Sequence, residues 1–362
     1  MSPGESLNRL AILDYARILA AVSVVYYHFV FKGPTEGWLL ISDFGIWTSI
    51  AGYGYLGVNL FFIVSGFVIA KSLKSRNAMQ FLAARAIRLF PALWACASIT
   101  LVTILALANT HSGNSGPSFG YPLESGVNLW IAWLASLTIV PAWFGKSAID
   151  GSYWSLLVEF HFYVLVFAAV LLKKPQLKTL AFCLWLLASA VNLIRPVWRA
   201  DFVLVLSWAP YFASGILFHR WYSTGLTRQV CGLLALAFCL CLAYARNSAI
   251  KDTYETVWVS MSIIGLYFFF FVAISGNKLV IRESRLSNAM GAVSYPLYLL
   301  HQVVGYLVFN RLHSTFEWVR IYPLSVLFLI AVALVAVAYA VHLVFELPAR
   351  RWWRSSVSKF MG

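Results

Sequence analysis

Asp14-Tyr15-Ala16-Arg17-Ile18-Leu19-Ala20-Ala21-Val22-Ser23-Val24-Val25-Tyr26-Tyr27-His28 sets an acid, an arginine and a histidine inside an otherwise apolar run. A helix turns by about 100° per residue, so Asp14 and Arg17 lie one turn apart and the steps from Arg17 to His28 come to roughly three whole turns. The three side chains therefore share one face. At a rise of about 1.5 Å per residue, Arg17 and His28 are separated by roughly 16 Å along the axis, about half a bilayer core. Charged groups in a membrane helix cost about 2.5 to 3.5 kcal/mol each on insertion scales, so this face is expected to be buried and functional.

The rest of the chain supports a membrane setting. It has 362 residues, 61% hydrophobic and only 11% charged, with a mean hydropathy of +0.78, which excludes an ordinary soluble globular protein. The net charge of +14 falls in short clusters between apolar runs, a pattern of membrane topology and not of nucleic-acid binding. The first apolar run is too long and too charged for a cleavable signal peptide. Cys96, Cys183, Cys231, Cys239 and Cys241 all sit in apolar runs without metal-ligand spacing, so packing is expected of them, and no metal is expected anywhere.

Apolar runs long enough to span occur at about 12–31, 54–71, 89–109, 153–172, 179–194, 202–219, 229–245, 254–275, 291–309 and 322–345. The expected fold class is an all-α polytopic membrane protein of about ten transmembrane helices. A further apolar stretch, 127–143, is interrupted by Pro141 and leaves three readings open: spanning, re-entering or lying in the interface. With that stretch not crossing and both termini cytoplasmic, most basic residues, including Lys71, Lys74, Arg76, Lys173, Lys174, Lys178, Arg350 and Arg351, fall on the inner side, as positive-inside topology requires. Lys32 and Lys146 then fall outside. Residues 1–362 read as one membrane domain, with an outer loop and lid at 110–152, rich in Gly, Ser and Pro at its start, and a cytoplasmic tail at 346–362.

Six motifs follow one another along the chain: Asp14-x-x-Arg17 leading to His28-Phe29; Gly57-Val58-Asn59-Leu60-Phe61-Phe62-Ile63-Val64-Ser65-Gly66-Phe67; Arg85-x-x-Arg88-Leu89-x-Pro91; Trp154-Ser155-Leu156-x-Val158-Glu159-x-x-Phe162-Tyr163; Ser294-Tyr295-x-x-Tyr298-x-x-His301; and Glu346-x-Pro348. In this order they resemble the membrane-bound acyltransferase 3 family, in which ten residues separate an arginine from a histidine in the first helix. Asn59 stands where many members carry Asp, and Phe160 where a second Glu often follows the first, so neither is given a catalytic role. The chain is expected to be a stand-alone member without a fused hydrolase-like domain.

That resemblance implies an O-acyltransferase, most simply an O-acetyltransferase, of the bacterial cytoplasmic (inner) membrane. It implies acetyl-CoA, or another acyl-CoA, as donor and a hydroxyl of an extracytoplasmic carbohydrate as acceptor; membrane lipid and a polysaccharide biosynthesis complex are the further partners. His28 is then the candidate base, since an imidazole is the cheapest proton carrier near neutral pH. Glu159, about 9 Å down a helix entered from outside, is expected to support it. Arg17 and Asp14 complete the catalytic candidates, although an ion pair near the inner interface explains Asp14 equally. Arg85 and Arg88, three residues apart at a helix start, suit the phosphates of coenzyme A. Tyr295, Tyr298, His301, Trp154 and Ser155 are the candidates for a substrate pocket. Direct transfer and a covalent acyl-histidine relay fit the sequence equally. The rival from another class is a transporter or flippase of an acyl donor or lipid-linked sugar, which would carry the same buried charges but also related halves, and none are seen.

Overall fold

The computed structural model describes residues 11–41, 43–73, 77–107, 128–247, 254–279 and 281–360. Its long helices are α1 Ala11–Tyr26, α2 Gly57–Ser72, α3 Ala78–Leu107, α4 Trp154–Leu171, α5 Pro175–Ile194, α6 Ala209–Thr224, α7 Arg228–Asn247, α8 Tyr254–Ser275, α9 Arg285–Thr315, α10 Pro323–Val341 and α11 Leu347–Phe360. There is no strand among the described residues, and nine helical segments there are long and apolar enough to cross a bilayer. These nine correspond to the second through tenth expected spans. The first expected span is helical as well: α1 runs into a π-helical turn, Tyr27–Lys32, and then a short α turn, Gly33–Thr35. The protein is an all-α polytopic membrane protein. Large apolar side chains such as Leu266 and Phe269 on α8 and Phe328 and Leu329 on α10 are exposed; in water such faces would be liabilities, and in a bilayer they meet lipid tails.

The doubtful stretch resolves into an eight-residue helix, Leu129–Ser136, and a 3-10 turn, Pro141–Phe144. Eight residues rise about 12 Å, well short of a bilayer core. Asn128 caps that helix by accepting from the backbone N–H groups of Trp130 and Ile131, which fixes where it starts. Residues 108–127, and with them the beginning of the expected outer loop, lie outside the described residues, as do Lys74 and Arg76.

One boundary differs from the expected one in a way that matters for the site. α3 begins at Ala78, because Asn77 and Gln80 cap each other's backbone N–H groups at 2.8 and 3.1 Å, a reciprocal cap that nucleates the first turn. Arg85 and Arg88 are therefore two turns or more inside a helix and not at its start.

The chain divides into two units. The first comprises residues 1–20, 56–75 and 175–292. Its centre is the contact of α2 with α6, where Gly66 lies 3.2 Å, measured from the place its Cβ would occupy, from the Cα of Gly215. A side chain on either glycine would overlap backbone of the other helix, at the carbonyls of Phe212 and Ile63. Small residues at such a crossing let two membrane helices approach until dispersion between their backbones holds them. Phe62 stacks near Phe212, with ring centroids 4.6 Å apart, and Tyr211 donates to the Cys241 carbonyl at 3.0 Å, tying α6 to α7.

The second unit comprises residues 21–55, 76–174 and 293–362, and it holds most of the candidate site. Tyr306 on α9 donates to the His28 carbonyl at 3.1 Å, and Tyr295 on α9 donates to the Leu89 carbonyl of α3 at 3.1 Å. In hydrocarbon a buried phenol hydroxyl without a partner is costly, so these bonds satisfy the two tyrosines and fasten α9 to the π turn and to α3 near Pro91.

Candidate active site

His28 lies in the π turn, whose first five residues are all buried. Such turns interrupt the regular α ladder and are frequent at functional sites. Its Nδ1 is 2.9 Å from the Val24 carbonyl and 3.0 Å from Nε2 of His301. A carbonyl only accepts, so Nδ1 of His28 carries the proton and shares it between these two acceptors. The same logic fixes the second ring: Nδ1 of His301 donates to the Tyr298 carbonyl at 2.8 Å, which leaves Nε2 as the lone pair facing His28. Both tautomers are thus set by backbone, and Nε2 of His28 is left as a basic lone pair.

His28 also lines a cavity of about 290 Å³, together with Lys32, Trp38, Lys146, Asp150, Trp154 and Gln302. Asp150 shapes one wall. Its Oδ1 accepts from the backbone N–H and the hydroxyl of Ser152, at 2.8 and 2.7 Å, and its Oδ2 accepts from the Val303 N–H at 3.1 Å. The loop ahead of α4 is by these bonds clamped onto α9. Burial pushes the Asp150 carboxyl up to about 6, while the bonds from Ser152 and Val303 pull it down without cancelling that effect. Ser155 donates to the hydroxyl of Tyr298 at 2.7 Å, and that hydroxyl donates to the Ser152 carbonyl at 3.1 Å. Four expected site residues, His28, His301, Tyr298 and Ser155, are accordingly joined in one buried network, with Trp154 on the cavity wall.

A second cluster takes the remaining candidates. Tyr163 donates to Glu159. The guanidinium of Arg85 lies over the rings of Phe81 and Tyr163, 5.6 and 5.8 Å from their centroids, a cation–π placement. Arg88 is within electrostatic reach of Tyr163, Glu159, Glu346 and Tyr295. Glu346 accepts from His342 at 2.6 Å and from Arg350 at 3.3 Å, and the segment His342–Glu346 is again π-helical. Glu159 and Tyr295 therefore belong with the arginines. The ring partner of His28 is His301, where sequence reasoning expected Glu159. Arg85 is buried, whereas the sequence placed it at an open helix start. In the other unit, Asp14 and Arg17 form an ion pair at 3.3 Å with Asp14 fully enclosed.

Asp150 and Gln302 are not marked by the sequence, and Glu346, quoted there as a motif and read as part of an inner-face anchor, was not expected to bond His342 and Arg350. Glu346 with Arg350 at helical spacing was readable as an ion pair; Gln302 was overshadowed by His301 beside it; and nothing local marks Asp150, whose donors come partly from the far end of the chain.

The chain matches the family described as an acyltransferase domain over residues 10–343. It is similar to a protein named O-acetyl transferase from Shigella phage Sf6, with 26% identity over 98% of this chain and 99% of the phage protein. It is also similar to Nodulation protein 10 of Rhizobium leguminosarum bv. viciae, with 30% identity over 42% of this chain and 41% of that protein. No solved structure matches. A buried histidine pair within a membrane-embedded helical protein and a family match across nearly its whole length lead to one statement: the chain belongs to the acyltransferase 3 family and is an acyltransferase.

Proposed function

We propose that the protein is an O-acetyltransferase that carries the acetyl group of acetyl-CoA to a hydroxyl of an extracytoplasmic carbohydrate. The single observation that carries this reading is the lone pair on Nε2 of His28, on a ring whose Nδ1 is held by Val24 and His301 and which lines a cavity with room for a sugar. In the forward step Nε2 takes the proton of the acceptor hydroxyl as its oxygen attacks the thioester carbonyl. The carbon–sulfur bond breaks, and the imidazolium returns the proton to the departing thiolate, giving free coenzyme A and the O-acetyl ester. His301 acts on His28 and not on substrate: its lone pair accepts from Nδ1–H and stabilises the positive charge the ring acquires, the part that a carboxylate plays in a serine hydrolase. The full-length similarity to a protein named O-acetyl transferase supports acetyl as the group moved.

On this reading Arg88, in the field of Glu159 and Glu346, and Arg85 bind the donor phosphates from the cytoplasmic side. The test is acetyl transfer from labelled acetyl-CoA by the purified protein in nanodiscs, with cell-surface glycans as acceptors. His28→Ala should abolish measurable transfer, and full activity in that variant would remove His28 from the reaction.

A further inference from the structure

The cavity beside His28 carries information about its acceptor. Besides the phenol of Tyr153, its ionisable lining is His28, Lys32, Lys146 and Asp150. Asp150 has both oxygens committed to Ser152 and Val303, so the charge it presents to a ligand is already spent on three donors. Among the described residues, neither lysine forms an ion pair. Lys32 sits one turn beyond His28, with its ammonium 5.5 Å from the centroid of Trp38, and Lys146 is exposed at the opposite stretch of chain. A second feature points to a ligand independently. Oε1 of Gln302, a residue 2% exposed, is buried without a hydrogen-bond partner, a costly state unless something arrives to donate. Its carboxamide lies 3.2 Å from where a Cβ on Gly151 would stand, so the loop approaches it closely without a side chain intervening.

We infer that the cavity is an acceptor subsite for an anionic carbohydrate, with the anion between Lys32 and Lys146 and a sugar hydroxyl donating to Oε1 of Gln302. This rests on the acyl transfer proposed above. The shared chemistry is a negatively charged oxygen group near the acylated hydroxyl: the carboxylate of an acidic sugar, or the diphosphate joining a glycan to a lipid carrier. The volume of about 290 Å³ stands at the lower end for small-molecule pockets and suits one sugar residue with its charged substituent.

The test compares three acceptors with protein in nanodiscs of uncharged lipid and acetyl-CoA as donor: a neutral oligosaccharide, its uronate-containing counterpart, and the neutral one joined by diphosphate to a short polyprenol. The KM for one of the two charged acceptors should be about tenfold or more below the neutral value, and should rise with added salt as the ion contacts are screened. Which of the two shows the drop identifies the source of the charge. Lys32→Gln with Lys146→Gln should erase the preference with a smaller change in kcat, and Gln302→Leu should raise KM for all three. Equal KM values for the three acceptors, insensitive to salt, overturn the inference while the acyl transfer stands. Absence of transfer to any of them overturns the carbohydrate reading beneath it. The wild-type comparison decides the question even if the lysine variants fold poorly.

Discussion

At the scale of single residues, His28 and His301 are distinguishable by kinetics. General acid–base catalysis contributes about 10² to 10⁴ in rate, so His28→Ala should lose at least about 100-fold in kcat for acetyl transfer. His301 bonds the other nitrogen of that ring, and removing such an orienting partner costs about 10- to 100-fold. His301→Ala should therefore lower kcat with little change in the KM for donor. His301→Gln, whose carbonyl can accept from Nδ1–H, should recover part of it. Equal damage by both His301 variants would make the residue a packing element. Asp150 offers a different readout. Its pKa is raised from 3.8 to about 6 by burial, so between these values the folded protein holds a proton that the unfolded chain releases. Stability from this group is full below about pH 4 and falls as pH rises through about 6. Thermal unfolding in detergent should show a melting temperature that drops across that window, and Asp150→Asn should flatten the slope while lowering stability by loss of one acceptor. A slope unchanged in Asp150→Asn would assign the titration elsewhere.

Elements carry the next level of argument. The crossing of α2 and α6 depends on Gly66 and Gly215 having no side chains, since a Cβ on Gly215 overlaps the Ile63 carbonyl and lies 2.6 Å from the Phe67 nitrogen. Gly215→Ala should separate the helices at a cost of about 2 kcal/mol, the scale of overpacking a tight interface. The check is a lowered melting temperature together with weaker acceptor and donor turnover in proportion to folded protein; an unchanged melting temperature would mean that the crossing relaxes freely. Gly66, Ser65 and Gly57 were legible in sequence as small residues in a membrane helix, but not their partner, because composition does not say which helix approaches which. The spans themselves were legible because hydropathy is an additive, local quantity. The start of α3 was misread for the opposite reason: a run of hydropathy begins well after the Asn77–Gln80 cap that begins the helix. In the candidate site, the burial of His28 was expected from the cost of placing it in an apolar run, whereas its partner was not. His301 is 273 residues away along the chain, and Glu159, the partner expected in its place, is drawn instead to Tyr163 and the arginines by charge attraction that a one-dimensional reading cannot rank.

At the scale of the whole molecule, the proposed reaction needs the donor on one side of the membrane and the acceptor on the other, and the chain's charge gives the direction. Lys71, Lys173, Lys174, Lys178, Arg350 and Arg351 belong on the cytoplasmic side by the positive-inside rule only if 127–143 does not cross. The eight-residue helix Leu129–Ser136 is too short to cross, and α4 lies in a segment long and apolar enough to do so, so the expected topology puts Lys146 and Lys174 on opposite sides. Single cysteines at Lys146 and Lys174, in a background where Cys231 and Cys239, both exposed, are replaced by serine, should react with a membrane-impermeant maleimide from opposite faces of intact cells. Labelling of both from outside would mean that α4 does not cross and would place the basic C-terminal helix outside as well, against the positive-inside rule. With the orientation in hand, the donor contacts become testable in the same cells: Arg85→Ala combined with Arg88→Ala should raise the KM for acetyl-CoA about tenfold or more. The loss should be larger at low ionic strength, where the screening length is about 30 Å at 0.01 M against about 8 Å at physiological salt. An unchanged donor KM would leave the two arginines to their neighbours within the protein, among them Phe81, Tyr163, Glu159 and Glu346, and would move the phosphate contacts to another part of the inner face.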